Sequence, residues 1–101
     1  MSRYIAERHL WFTKKGEEAR NRLTIGICAP VVVAQKEVNY PVDGVMSRCR
    51  VEMEGLNEHS FYVVGTDSLQ AINLASNIES VIQRLSDDYE FFWASGEPYF
   101  E

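Results

Sequence analysis

The sequence has no apolar run near the ~18 residues that a membrane-spanning helix needs. Its opening, MSRYIAERHL, lacks the apolar core of a secretory leader. These absences set the expected location in the cytoplasm. Cysteine is scarce, with only Cys28 and Cys49, and without an export signal two thiols read as reduced core residues rather than as a bridge. No C-x-x-C or H-x-x-x-H spacing joins these cysteines with His9 and His59, so no metal is expected. The glycines form neither G-x-G-x-x-G nor a P-loop, so no phosphate cradle or cofactor is expected. Lys and Arg cluster no further than Lys14-Lys15 and the formal net charge is −5, which disfavours nucleic acid as a partner. Neither histidine lies in a triad motif, and the expectation is a protein that is not an enzyme.

At 101 residues the chain is expected to form one domain, residues 1–101, because a second would lack material for its own core. Apolar residues at 46% and charged residues at 25% are those of an ordinary globular protein.

Strands dominate the first two thirds. RYIAERHLWF, residues 3–12, mixes aromatic and apolar residues with charges. In RLTIGIC, residues 22–28, Leu23, Ile25 and Ile27 share one face, and Gly26 on the other lets something pack close. Pro30 ends or edges that strand and Val31–Val33 resume it. RCRVEME, residues 48–54, alternates most clearly: Cys49, Val51 and Met53 face one way, and Arg48, Arg50, Glu52 and Glu54 the other. One face buried and one wet indicates an antiparallel sheet. HSFYVV, residues 59–64, completes a hairpin with it.

GTDSLQAINLASNIESVIQRL, residues 65–85, predicts a helix from Ser68 to about Leu85. Asp67 is placed to cap it, with Gln70 three residues on, as in a capping box. Ala71, Leu74, Ala75, Ile78, Val81, Ile82 and Leu85 form its apolar stripe, and the two small alanines allow close approach to a sheet. Asp67 and Ser68 are thus explained by helix initiation rather than by a nucleophile. YEFFWA, residues 89–94, reads as a last strand. The expected fold is α+β: a mainly antiparallel sheet of about five strands with one long helix on one face, in the order β-β-β-β-α-β.

The segment YEFFWASGEPYF is the densest in aromatics. Tyr89, Phe91 and Trp93 are expected to finish the core, leaving Phe92, Tyr99 and Phe100 as exposed anchors of the kind found at interfaces. Asp87, Asp88 and Glu90 add negative charge beside them. The turn-rich stretch Gln35–Val45 is read as a long loop, either a mobile connector or a functional segment.

Three stretches carry a resemblance: Ile5-Ala6-Glu7-Arg8, Cys49-Arg50-Val51-Glu52-Met53-Glu54-Gly55, and Gly65-Thr66-Asp67-Ser68-Leu69-Gln70-Ala71, with Trp93 in the last strand. In these the chain resembles a family of short bacterial domains of unassigned biochemistry. In size and acidity it is also similar in type to the immunity proteins encoded beside bacterial toxins, including those of contact-dependent growth inhibition. That resemblance implies a protein that binds a basic toxin domain, a nuclease being the concrete case, and blocks its active site. The expected partner-binding residues are Glu52, Glu54, Asp87, Asp88, Glu90, Tyr99 and Phe100. A non-catalytic structural or homo-oligomeric module, including a homodimer, is the alternative.

Overall fold

The computed structural model of the chain describes residues 4–33, 46–56 and 60–100. The Gln35–Val45 loop and His59 lie outside the described residues. The remainder is α+β, a six-stranded antiparallel sheet with a bent helix on one face. The elements run β1 (Tyr4–Lys14), β2 (Asn21–Cys28), β3 (Val31–Val33), β4 (Met46–Glu54), β5 (Phe61–Gly65), α1 (Ser68–Ala75), α2 (Glu79–Leu85) and β6 (Tyr89–Trp93).

Strand β4 is the hub. Along one edge it pairs β5, from Ser47↔Gly65 to Val51↔Phe61. Along the other it pairs β2 first, then β3. Ile27 lies opposite Val51 and Val31 opposite Arg48, so three residues, Cys28 to Pro30, face only two on β4. Pro30 cannot donate to a ladder, and the extra residue lets the strand bulge past it and resume. β1 then pairs β2, and β6 pairs the Leu10–Lys14 half of β1.

Alternation sorts the side chains into two faces. Leu10, Phe12, Leu23, Ile25, Ile27, Cys49, Val51, Met53 and Phe91 point toward the helical layer and form the core with Ala71, Ala75, Ile78 and Ile82. Among the described residues no element covers the opposite face. A register shift between Tyr4 and Ala6 turns Tyr4 onto that open face, where its ring lies over Gly26 in the space a Cβ would fill, 2.4 Å from the ring. Cys28 lies on the open face and its thiol donates to Glu52 at 3.3 Å, whereas Cys49 is fully buried on the helix side.

The helix begins as its sequence requires. Asp67 is extended, and its carboxylate accepts from Gln70 N–H at 2.8 Å. Gln70 reaches back to Thr66 N–H at 2.6 Å, one residue earlier than in a standard capping box. Ala71 and Ala75 are buried against the sheet. The helix is interrupted at Ser76–Ile78, where Ser76 and Ser80 hydroxyls donate to the carbonyls of Asn73 and Asn77. Polar side chains that compete for the backbone in this way bend helices. The break shifts the stripe: Leu74 is 47% exposed, while Ile78 and Ile82 are buried.

Candidate functional site

After β6 the chain reverses. Gly96 N–H donates to Trp93 C=O, and Trp93 N–H donates to Glu97 C=O, each at 2.8 Å. The tail then runs back along β6, with Phe92 bridged to Pro98 and Tyr99 N–H donating to Phe91 C=O at 2.9 Å. This return sets Tyr99 against the core, where it is only 9% exposed. Tyr99 is therefore not an exposed anchor, because the reversal turns it inward. Trp93, expected in the core, is 39% exposed and stacks on Tyr99 with ring centroids 4.5 Å apart. Phe100 is half-buried, packed edge-on against Tyr99 at 5.0 Å. Phe92 is half-buried on the open face with the Arg20 guanidinium 3.9 Å over its ring.

Where the tail leaves β6, a groove of about 390 Å³ opens between the end of α2 and Phe100. Tyr89, Phe91, Phe92, Pro98 and Phe100 give it apolar walls, while Lys15 and Glu90 are its charged lining residues. Phe12 packs edge-on against Tyr89 at 5.6 Å, which fixes that ring from the core side. The Asp87-Asp88 turn enters β6 between Ser86 and Tyr89, both of which line the groove. Its backbone is held at both ends: Asp88 N–H donates to Leu85 C=O at 3.1 Å, and Asp88 C=O accepts from Lys15 N–H at 3.0 Å. Asp87, Asp88 and Glu90 are all exposed.

Behind the groove sits a polar latch. Tyr99 donates its hydroxyl proton to Glu79 of α2, and Arg8 of β1 donates to the Tyr99 oxygen at 2.7 Å and to Glu79 at 2.9 Å. Desolvation, followed by the bond to Glu79, raises the Tyr99 pKa from its usual 10 to about 12. The Arg8 guanidinium also lies over the Trp93 and Tyr99 rings, at 5.2 and 5.9 Å. The latch joins β1, α2 and the tail, and so fixes where Phe100 emerges.

The expected contact residues thus divide. Glu90 and Phe100 line the groove, Asp87 and Asp88 lie in the turn between its lining residues Ser86 and Tyr89, and Tyr99 supports it from behind. Glu52 and Glu54 do not join them. They lie on β4, separated from β6 by β2 and β1, about 14 Å away at ~4.8 Å per strand. Sequence reasoning missed Lys15, Pro98 and Arg8. The signal available for Arg8 was its parity, which sets a cation on the core-facing side of β1 with Leu10 and Phe12.

His9 is on the open face. Its Nε2 is 2.9 Å from Glu7 Oε1 and its Nδ1 is 3.2 Å from Thr24 Oγ1. The order carboxylate, imidazole, hydroxyl is that of a nucleophile relay. The ring is 60% exposed, however, and a solvated site forgoes the water exclusion that makes such relays effective. Among the described residues no three His, Cys, Asp or Glu side chains gather to hold a metal ion, and no helix is long and apolar enough to cross a membrane.

The site and sheet together define the chain as a two-layer α+β arrangement with an edge groove of aromatic walls that carries Lys15 and Glu90 as its charged lining. No family model, curated protein or solved structure matches it.

Proposed function

We propose that the chain is a non-catalytic binding protein of the immunity type, which seats a basic toxin domain against the β6 groove and blocks its active site. The observation that carries this reading is the exposed Glu90 in the groove lining, with the exposed Asp87-Asp88 turn leading into β6 read as its acidic rim, beside the aromatic walls of Tyr89, Phe92 and Phe100. A cationic side chain of a partner would meet ring faces and carboxylates together, and the rim would steer encounter with a basic surface. A nuclease domain, whose substrate is polyanionic, is the concrete partner class.

The test is co-expression with the product of the gene immediately upstream, followed by calorimetric titration. Tight 1:1 binding is expected. Phe100→Ala should weaken it by ~2 kcal/mol, as an anchor at an interface centre does. Asp87→Lys with Asp88→Lys should chiefly slow association. Failure of the upstream product to bind, or affinity untouched by all three substitutions, ends the groove reading. The alternative is a non-catalytic structural or homo-oligomeric module.

A further inference from the structure

The chain after β6 is built as the second arm of a hairpin. Ala94, Ser95 and Gly96 form a three-residue loop, closed by the Gly96 N–H bond to Trp93 C=O and the Trp93 N–H bond to Glu97 C=O, with Gly96 at φ +98°. A turn followed by a left-handed glycine is the usual form of such a loop, and glycine takes that φ without strain. The returning arm is thin. Among the described residues two ladder bonds tie it to β6, Trp93 N–H to Glu97 C=O and Tyr99 N–H to Phe91 C=O. Pro98, opposite Phe92, has no N–H to add.

Of residues 94–100 only Tyr99 is buried. Its ring stacks on Trp93, and its hydroxyl carries the bonds to Glu79 and Arg8. The Arg8 and Glu79 side chains are 37% and 58% exposed, so the ion pair between them meets water and holds weakly by itself. A segment fastened at one buried side chain has few stable intermediate positions. Once Tyr99 leaves its place, the latch bonds, the Phe91 bond and the ring stack go together, and the hairpin loop is what remains. That release uncovers one tyrosine, whereas unfolding the sheet uncovers Leu23, Cys49, Val51 and Ile82, the most fully buried large side chains. The arm therefore opens at lower free energy than the fold, as a local unit.

The arm is also a wall. Pro98 and Phe100 line the β6 groove together with Gln83 and Ser86 at the end of α2, and the first two belong to the arm.

We infer that residues 94–100 form a strap that opens and closes as one unit on the Gly96 loop, that Arg8 and Glu79 hold it shut through Tyr99, and that its closure assembles the β6 groove. The last part rests on the reading of that groove as the binding site. A partner seated on Phe100 meets only the closed form, so the opening equilibrium sets how much of the protein is competent to bind. Arg8 and Glu79 are then positioning residues, which act on the groove without touching its occupant.

Native-state hydrogen exchange of the full chain, with no partner present, tests the inference. The reporters are the amides of Trp93 and Tyr99. After correction for intrinsic rates both should give one opening constant, at least about tenfold larger than that of the slowest β4 amides and with little dependence on urea. Tyr99→Phe keeps the ring and removes the hydroxyl, and should raise that constant by about tenfold, with Arg8→Gln raising it by about fivefold. Asp67→Ala, at the α1 cap, weakens a part that stays folded while the strap is open. It should speed the slowest β4 amides by about fivefold and leave the Trp93 and Tyr99 amides as they were.

Reporter amides that share the constant and urea dependence of β4, or that quicken with Asp67→Ala, overturn the strap, since the arm would then open only with the whole fold. Two unequal constants overturn it too, because the end would be fraying residue by residue. A constant untouched by both Tyr99→Phe and Arg8→Gln overturns the role of the latch. None of these outcomes depends on the upstream gene product, whose failure to bind would end the groove reading and leave the strap standing.

Discussion

Gly65 at the end of β5 lies against the backbone of Ala71 in α1, so closely that a Cβ on Gly65 would come within 2.5 Å of the Ala71 nitrogen. The obstacle is main chain of a capped helix, which no rotamer change can clear. Gly65→Ala is therefore expected to push α1 off the sheet and to lower stability by about 1–3 kcal/mol, the usual range for overpacking. Urea denaturation measures it. The contrasting position is Gly26, where the added methyl meets the Tyr4 ring, a side chain that can swing away. Gly26→Ala should cost less, and an equal or larger loss would contradict this account.

Asp67 caps α1 through its bond to Gln70 N–H. Asp67→Ala should cost about 1 kcal/mol, while Asp67→Asn or Asp67→Ser should retain most of the stability. Helix ellipticity and the urea midpoint should fall together.

The Tyr99 latch makes the protein sensitive to alkali. Because the Tyr99 pKa in the folded chain, about 12, exceeds the usual 10, the fold holds this proton more tightly than the unfolded chain does. Its contribution to stability is complete below pH 10 and is lost as pH rises through about 12. Tyr99→Phe should lower stability at neutral pH, by about 1 kcal/mol for the lost bonds. It should also flatten the alkaline limb of the stability curve relative to the wild type. An unchanged limb would show that other groups set it.

Cys28 and Cys49 sit on opposite faces of the sheet. Titration with a thiol reagent should find both free in denaturant, with Cys28 reacting first in the native protein. Cys49 is fully buried, and burial pushes its thiol pKa up, so it should react only as the chain opens. Cross-linking of the two within one folded chain is not expected under mild oxidation.

What the sequence revealed was mainly local. The Asp67 cap, the Ala71–Ala75 contact and the two faces of β4 depend on spacings within a few residues, and they stand as the spacing implies. The strand break at Pro30 was legible for the same reason, since a missing donor acts where it sits. The burial of Tyr99 was not, because it depends on the reversal after Trp93 and on Arg8, which is distant in sequence. The grouping of the acidic residues also escaped sequence reasoning. Glu52 was assigned to the correct face, but its distance from Glu90 is set by strand order, which no local pattern records. The bend at Ser76–Ile78 lay between these cases. Its serines were visible, yet their competition with the backbone is decided only when the sheet fixes both helical halves.

The returning tail also has a protective consequence. By pairing with β6 from Phe91 to Trp93 it occupies hydrogen-bonding groups that would otherwise face outward as a ready template for a strand from another molecule. A chain cut after Ser95 would keep its helix and most of its core but bare that row beside four aromatic rings. Such a fragment should be lost to fibrils before it is lost to unfolding.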